Sequence, residues 1–278
     1  MQKTTLLTAA VLLGAAGRTL AQNTPAENQE NAGTPYVRNI RPDRPGQTIT
    51  AHVLRPGQFQ LETGLLHYLP AGVGTASTLN STTLRIGFFN SMELRVTQAY
   101  RPGVSSLSRR GNDIPRSSRP DSTGWAPLLV GAKFMLSPNP DTRTQVALIA
   151  ETTVPGTGKQ LGAGWAPGGR LLVGHQIGDK YGLEGNFGFG QGGLTVKDME
   201  KGQFLGSLSL NGPLGAHAGF FVEAYGQGRA AMNTGTTVGV YWRPVVGLRL
   251  DVNAGRRLGG PSAGSGTVGA GLAFRLGQ

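Results

Sequence analysis

The stretch VGLRLDVNAG, residues Val246–Gly255, decides the fold class of this chain. Apolar side chains occupy every second position, and Gly247, Arg249, Asp251 and Asn253 occupy the positions between them. Successive side chains of a β-strand point to opposite faces of the sheet, so a period of two indicates one apolar face and one polar face. This stretch therefore predicts a strand that separates an apolar environment from a polar one.

The same alternation recurs in STTLRIGFF (Ser81–Phe89), YGLEGNFGF (Tyr181–Phe189) and TVGAGLAFRL (Thr267–Leu276). About twelve such segments occur, each close to the ~10 residues of a tilted membrane-spanning strand. Their centres lie near Leu61, Leu84, Val96, Val130, Leu148, Val173, Gly185, Leu208, Phe220, Val238, Leu250 and Leu272. No segment after Gln22 has an apolar run long enough for a transmembrane helix.

The connections between these segments alternate between short and long. The short ones are Asn90–Met92, Ser137–Arg143, Gly178–Lys180, Asn211–Gly215 and Arg243–Gly247. The long ones are Leu69–Ser77, Arg101–Gly124, Pro155–Gly168, Gln191–Gly202, Gly226–Met232 and Arg256–Gly266. Short periplasmic turns and longer outer loops are typical of bacterial outer-membrane barrels. We therefore predict an all-β fold, a single antiparallel transmembrane β-barrel of about 12 strands.

A soluble β-sandwich is the rival fold, since it also alternates and has short turns. Three features favour the barrel: the strands are long, the connections keep a fixed phase, and the polar face carries many of the 45 glycines. Glycine on an inner face suits a narrow closed barrel in which side chains crowd.

The first 21 residues have the pattern of a secretory signal peptide. Lys3 supplies the positive charge, Leu6–Ala16 is a short apolar run and Thr19–Ala21 ends in a small-residue cleavage site. We expect a signal peptide over residues 1–21, a polar, Pro/Gly-rich periplasmic arm over 22–56 and an outer-membrane β-barrel over 57–278. The absence of cysteine excludes a lipoprotein anchor, disulfides and thiolate metal sites.

The formal net charge of +11 would in another setting suggest nucleic-acid binding. The export signal and the lack of basic runs interleaved with aromatic residues argue against such a partner. Arginines of the predicted loops, Arg109, Arg110, Arg116, Arg119, Arg256 and Arg257, would solubilise those loops or meet anionic lipid. The expected partners are outer-membrane lipid, the barrel-assembly machinery and a small-molecule solute.

If the apolar face meets lipid, the other face lines the lumen. The inward acidic residues are then Glu62, Glu93, Glu151, Glu184, Glu223 and Asp251, and the inward basic residues are Arg85, Arg95, Lys133, Arg170, Arg249 and Arg275. Equal numbers predict pairing across neighbouring strands and little ion selectivity. These residues either line a path for solute or fill and rigidify the barrel. Tyr225 and Tyr241 also point inward and either stack on an aromatic solute or pack.

Four aromatic residues fall where the membrane interfaces are expected. Tyr100 and Trp125 lie near the outer rim, and Tyr181 and Trp242 lie near the periplasmic rim. We expect them to form the aromatic girdles that anchor a barrel in lipid.

No motif predicts catalysis, a cofactor or a metal site. GFGQGG (Gly188–Gly193) matches G-x-G-x-x-G, but no helix of a βαβ unit follows it. The four histidines lack metal-ligand spacing. A rim enzyme would need a Ser–His or Asp–His pair, for which His67 and Asp121 are the candidates.

The stretch RPDRPGQTITAHVLRPGQFQLETG, residues Arg41–Gly64, resembles the entry segment of an outer-membrane β-barrel family. That family is catalogued as meta-pathway (MetA-pathway) phenol-degradation proteins, and its members are often labelled transporters. The residues that carry the resemblance are Asp43, Arg44, Pro45, Gln47, Thr48, Gly57, Phe59, Gln60, Glu62 and Gly64. LRIGFFNSMELRV, ETTVPGTG and GDKYGLEGNFGF are similar to later parts of the family pattern. The chain departs from outer-membrane barrels in general because it ends AFRLGQ, with Phe274 near the end instead of a terminal aromatic residue.

The resemblance implies a passive outer-membrane channel or transporter for small hydrophobic or aromatic solutes. A structural or surface barrel with a closed lumen is the alternative, and a rim enzyme is the weaker one. The arm is too polar and too rich in proline to pair as a strand. It is either a floppy tail or a small plug, in which Asp43, Arg44, Gln47 and Thr48 enter the periplasmic mouth and Arg44 pairs with lumen carboxylates.

Overall fold

The structure is a computed structural model that describes residues 40–44, 46–71, 77–102, 124–137, 143–158, 165–190, 203–229 and 231–277. The strands are β1 (Phe59–Leu69), β2 (Ser77–Phe89), β3 (Met92–Arg101), β4 (Gly124–Trp125), β5 (Leu129–Met135), β6 (Thr144–Thr153), β7 (Gly168–Ile177), β8 (Tyr181–Gly190), β9 (Gln203–Pro213), β10 (Ala218–Gly228), β11 (Met232–Trp242), β12 (Leu248–Gly259) and β13 (Gly266–Leu276). Among the described residues, no helix has the length and apolar character needed to cross a membrane. The predicted signal peptide and the arm up to residue 39 lie outside the described residues.

The sheet closes on itself. Every neighbouring pair is antiparallel, and β1 pairs with both β2 and β13. Both β4 and β5 pair with β3 and form one strand, interrupted at residues 126–128, where Pro127 has no N–H to donate. The N–H of Ala126 still donates to the carbonyl of Ala99 at 2.8 Å. The barrel therefore has twelve strands, and the prediction of a single antiparallel barrel of about 12 strands is confirmed.

The two ends of the barrel differ in their connections. One end, called here the turn end, carries the short links at residues 90–91, 178–180, 214–217 and 243–247, and the chain enters β1 there. The opposite end is called the loop end. Two links at the loop end are shorter than expected, at residues 229–231 and 260–265, because the glycine-rich strand ends continue to pair, as Gly228 does with Met232 and Phe204. The placement of Arg256 and Arg257 in a loop was therefore wrong, since both pair within β12.

The outward face forms an apolar belt. Mid-strand side chains such as Leu65, Phe187 and Val252 are 52%, 66% and 54% exposed on the isolated chain. Polar and small residues occupy the alternate, inward positions of the same strands. Water would disfavour so large a continuous apolar surface, whereas lipid favours it.

The buried apolar core is small and lies inside the barrel. Ile49 and Ala51 of the arm pack with Ala147 and Ile149 of β6 and with Leu172 of β7. The arm thus packs its apolar side chains against an apolar part of the inner wall.

Candidate functional site

The described part of the arm, residues 40–44 and 46–56, runs through the lumen. It contacts Glu93 on β3, Asn186 on β8 and Glu223 on β10, which lie on different sides of the barrel. Since strands from all around the wall contact one segment, the segment occupies the interior. Most of these contacts lie between the turn end and the middle of the strands, so the arm fills that half of the lumen.

Lumen side chains satisfy the backbone N–H groups of the arm. The N–H groups of Gln47 and Thr48 donate to the two carboxylate oxygens of Glu223 at 2.9 and 2.5 Å. The side-chain amide of Asn186 accepts from the N–H of Ile49 at 2.7 Å and donates to its carbonyl at 2.8 Å. A buried backbone group without a partner is costly, and the described residues of the arm belong to no strand of the sheet.

Basic side chains satisfy the carbonyl groups of the arm in the same way. The ammonium of Lys133 donates to the carbonyls of Thr50 and His52 at 3.0 and 3.1 Å. The guanidinium of Arg85 donates to the carbonyls of His52 and Arg41, both at 3.0 Å. The inward charges therefore hold the backbone of an irregular segment, besides pairing with one another.

Asp43 is the centre of the charge network. Its carboxylate lies 3.5 Å from a guanidinium nitrogen of Arg85 and 3.1 Å from the ammonium of Lys133, and it also accepts a hydrogen bond from Arg95. The same carboxylate accepts from the N–H and the hydroxyl of Thr50 at 3.1 Å. Burial alone would raise the pKa of Asp43, but the three cations hold it well below its usual value. Asp43 is therefore a carboxylate at neutral pH.

Arg85 extends this network into the wall. It donates to Glu62 on β1 at 3.0 Å and to Glu93 on β3 at 2.8 Å, and none of the three side chains is more than 3% exposed. Arg95 also lies 3.2 Å from Glu93. Removal of one partner of a buried ion pair strongly destabilises a protein, because the other charge stays buried without compensation. The cluster therefore holds the arm against three neighbouring strands.

Arg44 docks on a part of the wall that has no side chains. Its guanidinium lies against Gly64 of β1 and Gly271 of β13, which face each other across the strand pair. A Cβ atom at either glycine would overlap the guanidinium. Arg44 then reaches Asp251 of β12 at 3.4 Å and the carbonyl of Ala270 at 3.3 Å. The two glycines thus form the seat of one arm residue.

The structure places the fourteen residues predicted to line the lumen as follows. Eight side chains are buried: Glu62, Arg85, Glu93, Arg95, Lys133, Glu223, Tyr241 and Asp251. Six are half-buried: Glu151, Arg170, Glu184, Tyr225, Arg249 and Arg275. The four predicted plug residues, Asp43, Arg44, Gln47 and Thr48, each bind a side chain of the barrel.

The sequence led us to expect that inward charges pair across neighbouring strands, but only some of the described ones do. Glu151 and Arg170 do, at 3.6 Å. Glu223 instead accepts from the arm backbone, and Arg249 stacks on the ring of Tyr241 with 3.8 Å between its guanidinium carbon and the ring centre. Equal numbers of inward acids and bases therefore do not mean that each inward acid pairs with an inward base.

The four predicted interface aromatics lie at the two ends of the barrel. The rings of Tyr100 and Trp125 pack at the loop end with 5.0 Å between their centres. Tyr181 and Trp242 are exposed at the turn end, next to the short links. The positions are those at which aromatic rings meet the membrane interface.

The sequence analysis missed two groups of site residues. Asn186 lies on the polar face of its strand, so the alternation could have identified it. The apolar inward residues Ile149 and Leu172 gave no such signal, because an apolar residue at an inward position is recognised only when its partner, Ile49, is known to lie in the lumen.

An open cavity of about 770 Å³ lies between the arm and the loop end. We call this cavity the vestibule. Asp43, Arg44 and Gln47 of the arm line its floor, and its wall includes Tyr68, Arg101, Arg95, Tyr225, Asn253 and Arg257. The vestibule is thus a polar chamber that the arm separates from the turn end.

The candidate residues for a rim enzyme are not brought together among the described residues. His67 shares a hydrogen bond of 2.9 Å with the hydroxyl of Thr78. Asp121, together with the predicted loop arginines Arg109, Arg110, Arg116 and Arg119, lies outside the described residues.

Solved structures share this architecture. An outer membrane channel from Pseudomonas putida F1 matches with a TM-score of 0.63 and 12% sequence identity, over 84% of this chain and 99% of that chain. The KdgM porin, solved in complex with disordered oligogalacturonate, matches with a TM-score of 0.53 and 7% identity, over 77% of this chain and 98% of that chain. At these identities the likeness shows the fold, which is that of an outer-membrane β-barrel. No curated protein matches the chain.

A family model matches almost the whole described barrel and the arm residues that enter it. The match begins at residue 42, next to Asp43, and ends at residue 276, the last position of β13. The resemblance seen in the entry segment is thereby confirmed. The chain belongs to the family described as "Putative MetA-pathway of phenol degradation", whose model covers residues 42–276.

Proposed function

We propose that the protein is a passive outer-membrane channel for small aromatic solutes and that the arm closes the turn half of its lumen. The observation that carries this proposal is the division of the lumen into an open vestibule of about 770 Å³ and a half filled by the arm. The fold shared with outer-membrane channels supports the role of a channel, and the family description, which concerns phenol degradation, supports the aromatic class of the solute.

The contacts of the arm suit a part that moves. Side chains hold the arm, whereas backbone ladders hold the wall, and all neighbouring strands remain paired. The arm can therefore leave the lumen without breaking the hydrogen bonds that keep the barrel closed. A solute in the vestibule would pass to the turn end when the arm shifts.

One observation favours a second function, a structural barrel with a permanently closed lumen. Arg85, Glu93 and Lys133 are fully buried and fully engaged, so release of the arm exposes a dense set of charges. If the free energy needed to release the arm is too high, the barrel never opens. A rim enzyme has no comparable support, since His67 contacts a threonine hydroxyl.

A disulfide lock tests the channel proposal. The Cβ atom of Ala51 in the arm lies 3.6 Å from the ideal Cβ position of Gly174 on β7. This separation fits a disulfide, and the chain has no cysteine of its own. We expect the oxidised Ala51→Cys/Gly174→Cys variant to show no discrete current steps in planar bilayers, and the reduced variant to show them.

The controls separate the alternatives. Each single-cysteine variant should conduct alike with and without oxidant. Deletion of residues 22–53 should raise conductance above that of the intact chain. Equal currents in the oxidised and reduced double variant would overturn the role of the arm as a gate. A folded barrel without current in any of these forms would favour the structural function.

We further propose that residues 1–21 are removed on export and that the barrel-assembly machinery inserts the chain. The apolar run of residues 6–16 and Phe274 near the end of β13 support these two steps. Mass spectrometry of the protein extracted from outer membranes should give an N-terminus at Gln22. An intact N-terminus would overturn the cleavage.

A further inference from the structure

We propose that the vestibule binds small aromatic anions, such as aromatic carboxylates, through Arg101, Arg257 and the tyrosines beside them. This inference rests on the proposed channel function and names the chemical class of the solute. It departs from the expectation, drawn from equal numbers of inward acids and bases, that the lumen has little ion selectivity.

The described wall of the vestibule carries more positive than negative charge. Arg44, Arg95, Arg101 and Arg257 line it, against two carboxylates. Both carboxylates, those of Asp43 and Glu62, are already bound by cations of the arm network. The chamber therefore has a surplus of positive charge that faces the open space.

Arg101 and Arg257 carry this surplus. Among the residues that the structure describes, neither guanidinium lies within ion-pair distance of a carboxylate. Both are close enough to Tyr68 to interact with it electrostatically, and so is Tyr225. Two cations and two phenol rings thus cluster on one side of the vestibule.

The wall also presents buried polar atoms that have no partner within the described part of the chain. Asn253, 6% exposed, lines the vestibule with neither its amide oxygen nor its amide nitrogen engaged. The Nε of Arg95, a residue that is 7% exposed, is likewise without a partner. The nitrogens of Asn253 and Arg95 are donors and the amide oxygen of Asn253 is an acceptor, so this part of the wall holds unsatisfied hydrogen-bonding groups of both kinds, which a polar ligand suits better than an apolar one.

The side chain of Tyr225 lies on the same part of the wall as Arg257. It extends over Gly235, where a Cβ atom would lie 2.5 Å from the phenol oxygen. In register, Gly235 pairs with Tyr225 on one side and with Arg257 on the other. The absence of a side chain at Gly235 therefore brings the ring towards the guanidinium, so that one ligand can stack on the ring and meet the cation.

The same wall is unsuited to a hydrocarbon. Hydroxyl side chains occupy many of its remaining positions, including Ser77, Ser81, Thr237 and Thr267. A purely apolar solute would leave these groups and both arginines without hydrogen bonds, at a cost that an anionic group avoids. The vestibule therefore favours a solute with an aromatic ring and an anionic oxygen.

Calorimetric titration of the refolded chain in detergent tests this proposal with three probes. Benzoate carries the ring and the charge, benzamide carries the ring without the charge, and acetate carries the charge without the ring. We expect benzoate to bind at least about tenfold more tightly than benzamide, since hydrogen bonds to charged groups are the stronger ones. Benzoate should also bind more tightly than acetate.

Neighbouring arginines on β12 provide a matched control. Arg257 lines the vestibule, whereas Arg256 is exposed on the other face of the strand. Arg257→Gln and Arg101→Gln should each weaken benzoate binding about tenfold, while Arg256→Gln, which makes the same change in net charge, should leave it within about twofold. Tyr225→Leu should reduce the preference for benzoate over acetate.

Three results would overturn the proposal: equal affinity for benzoate and benzamide, equal affinity for benzoate and acetate, or equal effects of Arg257→Gln and Arg256→Gln. Thermal unfolding of each variant in detergent shows that it is folded before it is titrated. Because binding is measured without current, its failure is distinct from failure of the disulfide lock. A barrel that binds benzoate but never conducts would support this inference and contradict the proposed channel function.

Discussion

At the scale of single residues, Asp43 joins the arm to three buried cations of the barrel wall. Its side chain is 4% exposed and faces three cations. Asp43→Asn leaves those cations buried without their shared carboxylate, which costs about 3–5 kcal/mol for a buried pair. Amide hydrogen exchange across residues 46–54 should therefore accelerate by about two to three orders of magnitude.

The control for this variant is Asp179→Asn, which removes an exposed carboxylate in the β7–β8 turn. It should leave exchange in the arm unchanged. If Asp43→Asn exchanged at the same rate as Asp179→Asn, the charge network would not be what holds the arm.

The second prediction at this scale concerns pH. Burial and the charges of Arg41 and Arg85 hold the pKa of His52 well below its ordinary value. When the arm is released, His52 would titrate near ~6.5, so the released state binds more protons below that pH. Docking should therefore weaken as the pH falls below about 6.5. The contribution of Asp43, whose pKa is also lowered, is complete above about pH 4 and is lost only below it.

Single-channel recordings across this range give the measurement. The open fraction should rise as the pH falls from about 6.5 to 4, and His52→Gln should remove that rise. A rise that persists in His52→Gln would assign the effect to another group.

The third prediction concerns the glycine seat of Arg44. Gly64→Val places a branched side chain where the guanidinium lies, so Arg44 loses its contact with Asp251. We expect faster hydrogen exchange in the arm with little change in unfolding of the barrel. Gly215→Val, at a turn position with no atom near the ideal Cβ, is the matched control. Equal exchange in the two variants would show that docking of the arm does not depend on the contact between Arg44 and the two glycines.

At the scale of elements, the strands and the arm differ in how far sequence could predict them. Strand formation follows from a period of two, which is a local property, and a stretch such as Val246–Gly255 contains all the information needed. The course of the arm is not local. Ile49 meets Asn186, 137 positions later, and Arg44 meets Asp251, 207 positions later.

The polar composition of the arm excluded a strand, but it left a tail and a plug equally open. The difference lies in which lumen groups receive the arm backbone, and that depends on barrel closure. The resemblance to the family entry segment singled out Asp43 and Arg44, although it could not identify Lys133 as the partner of Asp43 or Asn186 as the partner of Ile49. The vestibule cluster was also beyond reach, because Tyr68, Arg101 and Arg257 come from three strands that only the closed barrel brings together.

At the scale of the whole molecule, the apolar belt sets the depth of the barrel in lipid. Val238 lies in the middle of β11 and is 49% exposed, and Val245 lies in the turn that follows and is 52% exposed. Val238→Arg should lower the free energy of unfolding from lipid vesicles by about 2–4 kcal/mol, whereas Val245→Arg should change it by about 0–1 kcal/mol. Guanidinium titrations of the two variants make the comparison. Equal losses would place the membrane elsewhere on the barrel.

The position of Arg44 has a consequence for the kinetics of folding. This residue lies near the start of the chain, yet its partners, Asp251 and the carbonyl of Ala270, lie 207 and 226 positions later. Contacts at such separation give the fold a high contact order, and folding slows as contact order rises. The arm, an early segment of the chain, therefore cannot form its contacts with Asp251 and Ala270 until β12 and β13 are in place. We expect barrel closure and burial of the arm to appear as one slow phase, with the end of the chain completing the site that its beginning occupies.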